Sequence, residues 1–106
     1  MTISRLAIRN PAADTPSVAL DSTGTYVLSV IVSNISDTLE TKVDIWIAPT
    51  DSEDEEDWGY IAKNAPIDAG NALETFRFSL IPEDVLYVKS NNGFASFTLV
   101  GISQSV

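Results

Sequence analysis

The sequence predicts an all-β chain: a two-sheet antiparallel β-sandwich of seven or eight strands, immunoglobulin-like or jelly-roll. Three observations carry this. The runs TYVLSVIVSN and TKVDIWIA, within Thr25 to Ala48, alternate with a period of two, so Tyr26, Leu28, Val30 and Val32 share one face and Val43, Ile45 and Ile47 share another. Short apolar runs recur along the chain, divided by Pro, Gly, Asn and Asp turn signals. No stretch carries a helical apolar stripe. The two long runs are expected to pair at the centre of one antiparallel sheet.

Thr2 to Arg9 reads as a first strand whose phase slips between Ile3 and Leu6, which indicates a bulge, an edge position or a strand exchanged with a neighbouring subunit. Asn10 to Ser17, with two prolines, is a loop or extended crossing segment. Val18 to Leu20 is a short strand, and Asp21 to Gly24 a turn. After the central pair, Pro49 ends the second strand. Six of the seven residues from Asp51 to Asp57 are acidic and belong in a solvated loop. Trp58 to Lys63 is a short strand, and NAPIDAGNA a connection punctuated by Pro66 and Gly70. Glu74 to Leu80 shows the cleanest alternation, with Phe76, Phe78 and Leu80 on one face. Val85 to Lys89 and Phe94 to Ile102 follow; the Asn-Gly signal in SNNG between them predicts a hairpin. Leu80-Ile81-Pro82 with Tyr87 approximates a tyrosine corner but misses its spacing by one residue.

A chain of 106 residues forms one domain, within which residues 1–17 can act as a connecting arm. It has neither Cys nor His, which removes disulfides, thiolate chemistry, the usual general base and the commonest zinc ligand. Its net charge of −9 repels nucleic acid and anionic membrane, leaving proteins or cations as partners. No apolar window approaches a membrane span or signal-peptide core. The sequon Asn34-Ile35-Ser36 is therefore not expected to carry a glycan.

Few constellations carry chemistry. Asp51, Asp54 and Asp57 are the candidate calcium ligands, but the run lacks the EF-hand glycine, and a solvated acidic loop is the plainer expectation. Asp44 and Glu74 fall on outward strand faces with no cleft between them, so neither acid/base catalysis nor any cofactor is expected. Trp46 alternates out of phase with its apolar neighbours; either it points outward as an interface anchor, or its strand is buried on both faces, or Trp46 is the buried tryptophan of the sandwich and the two faces are reversed. Trp58 and Tyr60 are similar candidates, and with Trp46 they would form a stacking platform for sugars.

The block WGYIAKNAPIDAGNALETFRFSLIPEDVLYVKSNNGFASFTLVGI resembles a module of tailed-bacteriophage virion proteins, especially those of cyanophages and other marine phages. That module has a V-x-V-x-V-x-N strand, a Y-I-x-x-x-x-P-I-x-A segment, a turn with an acidic residue and a final hairpin. Val30 to Asn34, Tyr60-Ile61, Pro66 to Ala69, Asp84 and Phe97 to Gly101 stand at those positions. The acidic run from Asp51 to Asp57 departs from the pattern. The resemblance implies a non-enzymatic virion structural protein, made in the host cytoplasm. Decoration or cementing of the capsid is the first expectation; a tail, neck, baseplate or fibre-attachment role, or a carbohydrate- or receptor-binding module, is the alternative. Other virion proteins, the major capsid protein or tail proteins, are the implied partners. A homo-oligomer is expected, a trimer first, with Ile3, Leu6 and Ile8 of the arm and Trp46, Trp58 and Tyr60 in the contacts.

Overall fold

A computed structural model describes residues 3–49, 55 and 58–104, and these form nine strands. They are β1 (Ser4–Arg9), β2 (Ser17–Asp21), β3 (Thr25–Asn34), β4 (Thr41–Pro49), β5 (Gly59–Ile67), β6 (Ala72–Glu74), β7 (Phe78–Leu80), β8 (Asp84–Ser90) and β9 (Ala95–Gln104). One sheet runs β1-β9-β3-β6, with β7 also on β3; the other runs β2-β8-β4-β5. All strand pairs are antiparallel. The chain therefore behaves as one long hairpin, β1 to β9, β2 to β8, β3 to β6 and β7, β4 to β5, wound so that most connections cross between sheets. That winding is the jelly roll. Among the described residues no helix is long and apolar enough to cross a membrane.

The alternating runs deliver the expected core. Leu28, Val30 and Val32 of β3 meet Val43 and Ile45 of β4, with Leu86 and Val88 of β8 and Ala95, Phe97 and Leu99 of β9 completing it. Gly101 sits where β9 passes closest to β3: a Cβ there would lie 2.2 Å from the Val27 carbonyl oxygen, so only glycine fits.

Several expectations are corrected. β3 and β4 do not pair; they lie in different sheets and touch only through their side chains across the core. The SNNG turn is no hairpin, because β8 and β9 belong to different sheets. It is a crossing turn held from outside: the Asn91 side chain accepts from the Lys42 N–H (2.9 Å), Asn92 Oδ1 accepts from the buried Thr41 hydroxyl (2.7 Å), and Gly93 takes a φ of 79°. The tyrosine-corner option falls with the immunoglobulin one, since the Tyr87 ring stacks on Trp46. β5 runs on through Pro66, which an edge strand tolerates because its missing N–H faces away from the ladder. Glu74 to Leu80 is split in two: Ile31 pairs with Glu74 and Leu28 with Phe78, so one extra residue bulges out, and Phe76 is 93% exposed.

β1 forms within its own sandwich, paired with β9 and bulged between Arg5 and Ala7, as the phase slip indicates. Asn34 serves as a structural strut. Its buried amide donates to the Leu39 and Ile67 carbonyls (2.7 and 2.9 Å) and accepts from the Ser36 N–H (2.9 Å), tying the end of β3 to the end of β5.

Candidate functional site: an aromatic cover on the outer sheet face

The register of three strands builds this site. Trp46 on β4 stands directly opposite Tyr60 on β5 and Tyr87 on β8. Since Ile45, Leu86 and Val88 point into the core, Trp46 and Tyr87 point to the outer face of the β2-β8-β4-β5 sheet. The Trp46 ring stacks on Trp58 (centroids 5.1 Å apart, planes 19° apart) and on Tyr87 (5.3 Å, 10°), and lies 6.0 Å from Tyr60. Trp46 is only 4% exposed, while Trp58, Tyr60 and Tyr87 are half-buried. So β4 is buried on both faces here, inside by the core and outside by neighbouring rings. Trp46 is the floor of the cluster, and the other three rings are its surface.

A small polar group borders the rings. The Tyr60 hydroxyl donates to Glu55 Oε1 (2.7 Å), Lys63 Nζ pairs with the same oxygen (3.6 Å) and lies 4.7 Å from the Tyr60 ring centroid. Burial pushes the Tyr60 phenol up to about 12, with the hydrogen-bonded Glu55 carboxylate adding to it. Glu55 is held below its ordinary value, first by the Tyr60 hydroxyl and then by the Lys63 ammonium. The indole N–H groups of Trp46 and Trp58 are buried with no acceptor among the described residues.

The arrangement offers ring faces and donors. Asp44 accepts the N–H of Asn64 (2.6 Å), which holds a β5 bulge where Asn64 takes a φ of 53°, and Glu74 stands on a different sheet edge. The two do not meet as an acid/base pair. Asp51, Asp54 and Asp57 lie outside the described residues; among the described residues no three acidic side chains cluster to hold a metal.

The structure brings Trp46, Trp58 and Tyr60 together and places Ile3, Leu6 and Ile8 elsewhere, on the β1 edge of the other sheet. Leu6 packs on its own core, whereas Ile3 (65%) and Ile8 (43%) are exposed. Sequence reasoning missed Tyr87, Glu55 and Lys63. Tyr87 had a signal, being out of phase with the core-facing Leu86 and Val88. The roles of Glu55 and Lys63 depend on where the backbone contact from the Trp58 N–H to the Glu55 carbonyl (3.1 Å) sets the Glu55 side chain.

No family model matches the chain, and no curated protein sequence matches it. Among solved structures it is similar to the Clostridium thermocellum endo-1,4-β-D-xylanase 10B fragment holding the CBM22-1 and GH10 modules, complexed with xylohexaose. Sequence identity is 17% and the TM-score 0.48, over 99% of this chain and 25% of that one. The chain thus spans a quarter of that protein's length, and similarity at this level carries no functional inference.

Proposed function

We propose that this protein is a non-catalytic structural component of a tailed-phage particle that works through protein contacts, decorating or cementing the capsid shell. The observation that carries the reading is the distribution of exposed apolar side chains. Ile3 at the β1 edge, Ile35 and Leu39 at one end of the sandwich, Ile81 in the β7–β8 turn and Phe76 on the opposite edge all stand in solvent. Single exposed apolar residues are ordinary, but this spread of large ones suits a domain that touches more than one neighbour. The resemblance of Val30 to Asn34 and of the block from Trp58 to Ile102 to virion modules supports it, as does the jelly roll, by fold-level analogy with viral capsid domains. Quantitative mass spectrometry of purified particles tests it. A copy number that scales with the major shell protein is expected. One matched to tail proteins moves the protein to the tail, and absence from particles overturns the reading.

A second reading, a carbohydrate- or receptor-binding module, is favoured by the half-buried faces of Trp58, Tyr60 and Tyr87. It expects glycan-array binding that disappears in Trp58→Ala. Particle association without any glycan binding rejects it.

A further inference from the structure

Phe76 is the most exposed large apolar side chain in the described structure, and the fold holds it out deliberately. Thr75 donates its N–H to the Val30 carbonyl (3.0 Å), while its hydroxyl oxygen accepts the Val30 N–H (2.9 Å) in the place of a backbone carbonyl. The same hydroxyl donates to the Phe76 carbonyl (2.9 Å). The side chain of Thr75 thus completes the β3 ladder, so Phe76 and Arg77 can leave it and the ring projects from the sheet edge.

Directly beside the ring, the seam between edge strands β5 and β6 is open. A cleft of about 290 Å³ lies there, lined by the apolar Ile61, Ala62, Ala65, Leu73 and Phe76 itself and by the polar Glu74 and Thr75. The small side chains of Ala62 and Ala65 make the hollow. Knob and hole therefore occupy one surface, which is the requirement for a self-complementary two-fold contact. Charge agrees with that symmetry. Glu74 and Arg77 flank Phe76, and a two-fold axis through the segment runs the two copies antiparallel, setting Glu74 of each against Arg77 of the other.

We infer that the β5–β6 seam is a homodimer interface in which each copy seats its Phe76 in the Ala62–Ala65 cleft of the other. The inference stands apart from the virion reading. Each copy carries a charge of −9, so the copies repel at long range; added salt screens that net repulsion more than it weakens the two Glu74–Arg77 contacts, and so tightens the dimer.

Sedimentation equilibrium of the purified chain across concentration and salt tests this. A monomer–dimer equilibrium is expected, tightening from low to high salt. Phe76→Ser and Ala65→Leu, which remove the knob and fill the hole, are each expected to weaken it at least about tenfold. An equimolar mixture of the two restores part of the association, because one intact seat remains between them. Phe76→Ser should leave the monomer's melting temperature unchanged, since the ring is in solvent. A wild-type monomer at every concentration, a trimer, or a dimer indifferent to Phe76→Ser overturns the inference. So does a monomeric Phe76→Ser variant that melts markedly lower, which would mean the ring covers its own cleft. A monomer that binds purified shells only when Phe76 is present would give the seat to a virion protein and overturn it equally.

Discussion

The two seams of the sandwich are built differently. On the β1–β2 side the sheets are laced shut: Arg9 Nε–H donates to the Val18 carbonyl (3.1 Å) across the gap, and the connection between β1 and β2 is held to the end of β8 by the Asp14 N–H on the Ser90 carbonyl (2.8 Å). On the β5–β6 side the sheets meet at Asn34, which ties β3 to the end of β5, and beyond that point a bulge and two alanines leave a cleft. A sandwich has edges that must be covered, paired or blunted, and this one closes the first pair with a long side chain while leaving the second pair with apolar surface and an exposed ring. The contrast locates where the fold is self-sufficient and where it is open to a partner.

The largest effect expected is one that erases the contrast. Phe97, wholly buried on β9, belongs to the core shared by both seams, so Phe97→Ala should cost about 3–5 kcal/mol in denaturant unfolding and raise hydrogen exchange at both seams together. Asn34→Ala should cost about 2–3 kcal/mol, because it leaves buried groups at Ile67 and Ser36, and the part-buried Leu39 carbonyl, without their partner. Its exchange increase should concentrate at the end of β5 and in the following turn; an equal increase in β1 and β2 would show that the seams are not independent. Arg9→Met is the converse, smaller at about 1 kcal/mol, and should loosen β1 and β2 while sparing β5 and β6.

The smallest effect is electrostatic and sits on the outer face of β5. With its pKa raised to about 12, Tyr60 contributes stability that is complete below the ordinary tyrosine value of ~10 and is lost as pH rises through about 12. Glu55, with its value lowered, contributes stability above the ordinary carboxylate range that is lost as pH falls through its depressed value. Tyrosinate absorbance against pH should show a late-titrating phenol that is lost in Tyr60→Phe. Glu55→Gln should move it earlier but not to the ordinary value, since burial is the larger cause and remains. A full return to the ordinary value would mean that the carboxylate, not burial, dominates.

What the residues alone determined is which side chains face inward. Alternation is a local property, because a strand turns successive side chains to opposite faces whatever it pairs with. Leu28, Val30 and Val32, Val43 and Ile45, and Ala95, Phe97 and Leu99 are legible for that reason, and so is the outward phase of Trp46. Partnership between strands is not local. Backbone hydrogen bonds carry no label, so nothing in TYVLSVIVSN or TKVDIWIA says that these runs oppose each other across a core rather than pair edge to edge. The same holds for Ser90 to Gly93, whose turn chemistry serves a crossing between sheets as readily as a hairpin. Phe76 is the plainest case. Its spacing from Phe78 and Leu80 places it inside, and only the hydroxyl of Thr75 on β3, a contact 45 residues distant in sequence, turns it out. The aromatic cover was half legible: phase told which way Trp46 points, but only the register of β5, β4 and β8 decided that Tyr60 and Tyr87 would stand beside it and that the ring would be buried from outside.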